Sequence, residues 1–143
     1  MNLGWGTPPY TAPELIYPER FGLDTSEVSR EGDIFAFGMT IYEVVTGVRP
    51  FGVESKRVVE LMFAVVEGKR PEKPANADSI GFGNGIWDLV EKCWSEKREQ
   101  RPSTWDVRMR LAVAASMTSL APPGSRLAQR INTRPTIPNP NRK

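Results

Sequence analysis

Apolar residues recur at helical spacing in four stretches of the chain. The first, 33–46, is apolar on nearly every side, and Gly47 is placed to end it as a helix. A strand is the competing interpretation of 33–46, because Ile, Val and Phe favour strands, but its length favours a helix. The other three stretches (55–67, 86–94 and 103–117) also show amphipathic spacing. The pattern therefore predicts an all-α body.

The segments between these helices are rich in residues that break regular structure. Four prolines in 1–32 predict a loop with one short helix at about 12–16. Residues 49–52 predict a turn, and 70–85 predict a loop. Ser103, with Asp106 three residues later, predicts the N-cap of the last helix.

The end of the chain differs from the rest in composition. Residues 118–143 contain five prolines and no helical period, which predicts a disordered tail after a body at 1–117. The tail holds five basic residues and no acidic one, whereas the body holds 14 basic and 17 acidic residues. The favoured interpretation is that this basic tail is solvated and has no specific partner. Its charge could also meet an acidic protein, nucleic acid or an anionic membrane.

Residue counts exclude several classes of chemistry. The chain has no histidine, so histidine-dependent nucleophilic triads and histidine-based zinc sites are excluded. The single cysteine, Cys93, cannot form an internal disulfide. We find neither a signal peptide nor a stretch of about 20 apolar residues that could span a bilayer. We therefore expect a reducing, intracellular and cytoplasmic setting.

Four short motifs occur in an order and at spacings typical of one family. They are Gly6-Thr7-Pro8-Pro9-Tyr10-Thr11-Ala12-Pro13-Glu14, Asp33-Ile34-Phe35-Ala36-Phe37-Gly38, Arg49-Pro50-Phe51, and Cys93-Trp94 followed by Arg101-Pro102-Ser103. Together they resemble the catalytic lobe of protein kinases, from the end of the activation segment to the last helices of the C-lobe. The resemblance covers about residues 4–115. It implies a partial kinase C-lobe, with the N-lobe absent from this chain.

The resemblance also implies a subtype and cofactors. Gly-Thr-x-x-Tyr before Ala-Pro-Glu is similar to serine/threonine kinases, and Cys93-Trp94 with Arg101-Pro102 is similar to tyrosine kinases and tyrosine-kinase-like enzymes. The combination resembles the tyrosine-kinase-like serine/threonine group. A full-length member would transfer phosphoryl groups from ATP, with Mg²⁺, to protein Ser or Thr.

Several residues receive roles through this resemblance. Glu14, which ends the Ala12-Pro13-Glu14 motif, is expected to form a buried ion pair with Arg101. Asp33 is expected mainly to cap the central helix, in which Gly38 ends the Asp-x-x-x-x-Gly motif. Four residues would be the remains of a substrate-recognition loop: Thr7, Pro8, Pro9 and Tyr10.

The chain lacks the groups that perform phosphoryl transfer. It contains no nucleotide-binding glycine loop, no strand lysine paired with a helix glutamate, no His-Arg-Asp and no Asp-Phe-Gly. Gly81-Phe82-Gly83-Asn84-Gly85 has the wrong spacing for a phosphate loop and is interpreted as a connection. We therefore assign no catalytic, cofactor-binding or metal-binding residue, and we expect no kinase activity from this chain alone.

Two further expectations concern surfaces. The central helix should leave part of its apolar surface uncovered, since the rest of the lobe is not in this chain. Trp87, Trp94 and Trp105 are expected to pack in the core or in grooves. The alternative to a kinase fragment is a short, non-catalytic helical module that binds partners beside the helix predicted at 55–67.

Overall fold

Five α-helices account for most of the chain that this computed structural model describes, which is residues 7–52 and 57–119. They are α1 (Pro13–Ile16), α2 (Arg30–Thr46), α3 (Val58–Val66), α4 (Asn84–Cys93) and α5 (Thr104–Ser119). Short 3-10 turns lie at Pro8–Tyr10, Pro18–Phe21, Ala77–Ile80 and Arg98–Gln100. The described residues include no strand, and the prediction of an all-α body is confirmed.

The central helix α2 begins three residues before its predicted start. Ser29 is its N-cap, because the Ser29 hydroxyl accepts a hydrogen bond from the backbone N–H of Gly32 at 3.1 Å. Asp33 lies inside the first turn, where its own N–H donates to the carbonyl of Ser29. The prediction that Asp33 caps this helix is therefore wrong. The predicted end is confirmed, since Gly47 adopts a left-handed conformation with φ 71°.

Helices α2 and α4 approach each other closely at a glycine. A methyl group on Gly38 would lie 2.8 Å from the Cβ of Cys93, which is closer than carbon atoms pack. Cys93 is fully buried there and is a free thiol. Burial raises its pKa to about 11. Gly38 is thus required by the contact between the two helices.

The core is rich in aromatic rings. Phe35 of α2 is fully buried, and Trp87 packs edge-on against both Phe82 and Trp94, at centroid distances of 5.3 and 5.7 Å. These rings share one cluster with aliphatic side chains of α2 and α3 such as Met39. The predicted core positions of Trp87 and Trp94 are confirmed. Trp105 is 62% exposed and lines a cleft with Ile34 and Pro102, so it lies in a groove and not in the core.

The remaining predicted boundaries hold with small shifts. The turn at 49–52 closes by a hydrogen bond from Gly52 N–H to Arg49 C=O at 3.0 Å. Ser103 caps α5 as predicted, since its hydroxyl accepts from the N–H of Asp106, and the Asp106 carboxylate accepts in return from the N–H of Ser103. Helix α4 begins two residues earlier than predicted, and 53–56 lie outside the described residues. Of the predicted tail, Thr118 and Ser119 belong to α5, and 120–143 lie outside the described residues.

One side of α2 is not covered by the described residues. We call it the outer face of α2, and it consists of Asp33, Phe37, Thr40 and Val44, all of which are exposed. Their spacing of three or four residues places them on one side of the helix. Val44 is 77% exposed, although it belongs to the stretch 33–46 that is apolar on nearly every side. The expected uncovered apolar surface of the central helix is therefore present.

No helix within 7–52 and 57–119 is both long and apolar enough to cross a membrane.

Candidate functional site

The segment Thr7–Thr11 forms a short loop on the surface of the helical body. Pro8–Tyr10 make a 3-10 turn, in which the Tyr10 N–H donates to the carbonyl of Thr7 at 2.9 Å. Pro9 is buried beneath this turn, Pro8 and Tyr10 are partly exposed, and Thr7 is exposed. Prolines fix the backbone torsion, so the loop is held in one shape that presents Thr7 to solvent.

Tyr10 ties this loop to the central helix. Its hydroxyl donates a short hydrogen bond to a carboxylate oxygen of Glu43 on α2. Burial, and then the hydrogen bond to the Glu43 carboxylate, raise the pKa of Tyr10 to about 12. The role of Glu43 was not predicted from the sequence. A charged residue inside an otherwise apolar helix is the signal that could have indicated a specific partner.

A buried ion pair anchors the segment that follows the loop. Arg101 donates two hydrogen bonds to Glu14, from Nη1 to Oε1 at 2.6 Å and from Nη2 to Oε2 at 2.8 Å. Both side chains are almost fully buried. Arg101 also donates from Nη1 to the carbonyl of Glu31 at 2.9 Å and from Nε to that of Ser95 at 3.0 Å. The predicted pair is thus present, and it connects α1 to the segment that directly precedes α5.

A second arginine, Arg70, is partly buried and was not predicted. Arg70 donates to the carbonyls of Trp94, Val65 and Lys69 at 2.8, 3.0 and 2.7 Å. Its guanidinium carbon lies 5.0 Å from the centroid of the Phe35 ring, and that of Arg101 lies 5.2 Å away. Burial, and then the charge of Arg101, lower the pKa of Arg70 to about 10.

The other residues of the predicted motifs fall into two groups. Ala12 and Pro13 are buried and hold α1 against the core, and Gly38 lies at the contact with α4. Asp33 is exposed and lines an apolar cleft of about 540 Å³ between α2 and α5. The walls of this cleft also include Arg30, Ile34, Phe37, Val107, Arg108 and Leu111.

A metal ion would be held by a cluster of ligating side chains. The described residues contain no group of three or more Asp, Glu, Cys or His residues able to hold a metal. In the glycine-containing segment 81–85, Gly81 ends a 3-10 turn and Gly83 caps α4, so the segment serves as the predicted connection. The described geometry consists of a fixed surface loop, one buried and one partly buried arginine, and a face of α2 on which Phe37 and Val44 are exposed.

Comparison with known proteins explains this combination. The family described as protein kinase domain matches residues 1–112. The chain belongs to the protein kinase family. As expected for a kinase C-lobe, the fold is helical, and the kinase-derived character of the chain is established.

Several kinases resemble this chain over most of its length. A protein of Acanthamoeba polyphaga mimivirus named as a serine/threonine-protein kinase/receptor is 36% identical over 106 residues, which is 74% of this chain. Serine/threonine-protein kinase mos of Patiria pectinifera is 30% identical over 106 residues, and serine/threonine/tyrosine-protein kinase HT1 of Arabidopsis thaliana is 31% identical over 98 residues. These matches cover 74% and 68% of this chain.

The matched segment is a small part of each relative. It spans 6% of the mimivirus protein, 27% of the mos kinase and 22% of the HT1 kinase. The chain therefore corresponds to a portion of a kinase domain. That Thr7, Pro8, Pro9 and Tyr10 bind substrate stays a prediction.

Proposed function

We propose that this chain forms the substrate-facing helical part of a serine/threonine kinase domain whose phosphoryl-transfer groups lie outside these 143 residues. The observation that carries the proposal is that the loop at Thr7–Thr11 is anchored at Tyr10 and, just after its end, at Glu14. Tyr10 binds α2 through Glu43, and Glu14 binds Arg101. A loop fixed at both of these points presents a preformed surface to a substrate peptide.

The uncovered side of α2 supports the same proposal. Phe37 and Val44 are 38% and 77% exposed, and Phe37 also lines the cleft between α2 and α5. Such surface is stabilised when another segment buries it, at roughly 25 cal/mol per Å² of apolar area. We infer that the part of the kinase domain with the ATP-binding and catalytic groups packs on this side. ATP and Mg²⁺ would bind that other part.

A phosphotransfer assay tests whether the groups that transfer the phosphoryl group lie outside this chain. The 143-residue chain, mixed with labelled ATP, Mg²⁺ and a mixture of serine, threonine and tyrosine peptides, should transfer no label above background. A polypeptide that also contains the upstream His-Arg-Asp and Asp-Phe-Gly segments should label serine or threonine. Label transferred by the short chain alone would contradict the proposal.

The role of the loop is tested in the longer polypeptide. Thr7 is exposed, so Thr7→Ala should leave the fold intact and lower kcat/KM for the peptide substrate. Thr25→Ala is the matched control, because Thr25 is an exposed threonine whose hydroxyl donates to the nearby Glu27 at 3.4 Å. Equal activity of the two variants would show that the loop does not recognise the substrate.

The alternative function has one specific observation in its favour. Helix α3 exposes Val58, Val59 and Phe63 at 53%, 47% and 48%, as a helical interaction module would. The nucleotide sequence upstream of Met1 separates the two functions. In-frame codons for His-Arg-Asp and Asp-Phe-Gly support the kinase domain, and a stop codon without them supports the non-catalytic module.

We further propose that the protein acts in the cytoplasm and contacts other proteins. The buried free thiol of Cys93 is suited to a reducing compartment. A protein substrate and the remainder of the kinase domain are the partners that the loop and the outer face of α2 would contact.

A further inference from the structure

The outer side of α5 carries large apolar side chains that the fold leaves uncovered. Trp105, Met109 and Val113 are 62%, 39% and 52% exposed. They lie four residues apart and therefore form one stripe along the helix, which we call the outer stripe of α5. A different side of α5 packs Val107 and Leu111 against α2 and α4. The outer stripe is not needed to build the core.

Positive charge flanks this stripe on both sides. Arg108 and Arg110 are exposed and directly precede and follow Met109. Since successive residues are about 100° apart around a helix, the two arginines leave α5 on opposite sides of the stripe. Asp106 is the one acidic residue in Thr104–Ser119, and its carboxylate accepts hydrogen bonds from the backbone and hydroxyl of Ser103 at 3.1 and 2.6 Å.

The sequence after α5 extends the same charge. Residues 120–143 contain Arg126, Arg130, Arg134, Arg142 and Lys143 and no acidic residue. Positive charge is therefore concentrated on α5 and in the segment joined directly to it, whereas the rest of the chain is net acidic.

We propose that the outer stripe of α5 binds the surface of a bilayer that contains anionic phospholipids, with the helix lying in the plane of the interface. Trp, Met and Val would enter the boundary between headgroups and acyl chains, while the arginine side chains extend to lipid phosphates. Basic charge on both sides of an apolar stripe matches a continuous anionic surface. The basic residues of the sequence that follows would add electrostatic attraction to that surface.

This proposal does not depend on the proposed kinase function. None of the residues in the outer stripe belongs to the Thr7–Thr11 loop or contacts Glu14, Arg101 or Glu43 through a described hydrogen bond. A failure of phosphotransfer would leave lipid binding intact, and a failure of lipid binding would leave phosphotransfer intact.

Co-sedimentation with vesicles tests the proposal on the full chain. The protein should bind vesicles of phosphatidylcholine mixed with phosphatidylserine and should not bind phosphatidylcholine alone. Binding should weaken between about 50 mM and about 500 mM salt, because the Debye length falls several-fold. The variant Trp105→Ala with Met109→Ala should bind roughly tenfold more weakly, since it removes most of the apolar surface of the stripe. Trp105→Gln alone should weaken binding in the same direction.

Helix α3 offers a matched control. It exposes Val59 and Phe63 to a similar degree, but Glu60 rather than an arginine directly follows Val59. Val59→Ala with Phe63→Ala should therefore leave vesicle binding unchanged. Arg108→Gln with Arg110→Gln should reduce binding to anionic vesicles, although it leaves the outer stripe of α5 and the exposed apolar residues of α3 unchanged. Circular dichroism of each variant establishes that it is folded.

Three results would overturn the proposal. The first is folded wild-type protein that does not bind anionic vesicles at low salt. The second is equal loss of binding in the α3 and α5 variants, which would indicate general adhesion of apolar surface. The third is a dimer, seen by analytical ultracentrifugation, that the α5 variant dissociates without any change in vesicle binding. That result would assign the stripe to self-association.

Discussion

At the scale of single residues, the fold depends on charges that are buried and paired. Glu14 and Arg101 lie 87 positions apart in sequence, yet they meet through two short hydrogen bonds. A buried carboxylate and guanidinium are stable only while both are present, because either one alone would lose hydration without compensation. The pair therefore holds α1 in place against the segment before α5.

Neutralising Glu14 should expose this dependence. We expect Glu14→Gln to lower the free energy of unfolding by about 3–5 kcal/mol, because the charge of Arg101 would remain buried without its counter-ion. Urea denaturation measures the change. Glu31→Gln is the control, because Glu31 forms a partly exposed pair with Arg98 at 3.5 Å, and such pairs contribute about 0–1 kcal/mol. Similar losses in both variants would contradict the buried-pair argument.

Tyr10 should make stability fall in alkaline solution. Its pKa is raised from 10.0 to about 12 in the folded protein, so the neutral phenol favours folding. This contribution is complete below pH 10 and is lost as the pH rises towards 12, because the unfolded chain gives up the proton more easily. We expect Tyr10→Phe to show a smaller decline over this range in urea denaturation. Parallel declines in the two proteins would show that Tyr10 is not responsible.

Residue roles could be predicted from the sequence only where a motif named both partners. The Glu14–Arg101 pair was predicted because both residues belong to recognised motifs. Arg70 and Glu43 were missed because their partners are backbone carbonyls and the phenol of Tyr10, which no spacing pattern indicates. Whether Trp105 lies in the core or in a groove could not be predicted, because an aromatic residue at helical spacing does not reveal which side of the helix is covered.

At the scale of elements, the contact between α2 and α4 requires a residue without a side chain. We expect Gly38→Ala to lower the free energy of unfolding by about 1–3 kcal/mol, because the new methyl group would overlap the Cβ of Cys93. Thermal or urea denaturation measures the effect. The overlap involves a Cβ atom, so a rotation of the Cys93 side chain cannot relieve it.

Gly85 provides the control for this substitution. It lies in α4 with nothing within 4 Å of the position of an added Cβ. We expect Gly85→Ala to raise the free energy of unfolding by up to about 1 kcal/mol, since alanine favours helices more than glycine does. A destabilising Gly85→Ala would mean that helix geometry, rather than the α2–α4 contact, explains the result at Gly38.

Elements were predicted better than their ends. Apolar periodicity located four of the five helices, but it starts at Ile34 in α2 and so gave no information about the polar turn before it. The hydroxyl of Ser29, three residues before Gly32, is a local capping signal that periodicity ignores. The start of α4 was missed for a related reason, because Asn84 and Gly85 are weak helix formers.

At the scale of the whole molecule, α2 has two different sides: the outer face is exposed to solvent, and the opposite side is buried in the core. We expect Val44→Gln to change the free energy of unfolding by less than about 0.5 kcal/mol, because Val44 is 77% exposed. Met39→Gln on the same helix should cost several kcal/mol, roughly 2–5, since Met39 is fully buried. Val44→Gln should also bind less of a hydrophobic dye. Equal destabilisation by both substitutions would show that the outer face is covered in solution.

The sequence predicted the all-α architecture and an incompletely covered central helix, but it could not say where the cover is missing. That 33–46 is apolar on nearly every side follows from residue types alone. Which residues form the outer face depends on how α4 and the aromatic core pack around α2. This packing is a property of the assembled molecule.

The thiol of Cys93, at the contact between α2 and α4, can be used to detect transient separation of these two helices. Cys93 is the only cysteine in the chain, is fully buried, and has a pKa of about 11. A thiol reagent can therefore modify it only when these helices separate. The rate at which the thiol is modified would therefore report on the opening of the α2–α4 contact, and no label would have to be introduced.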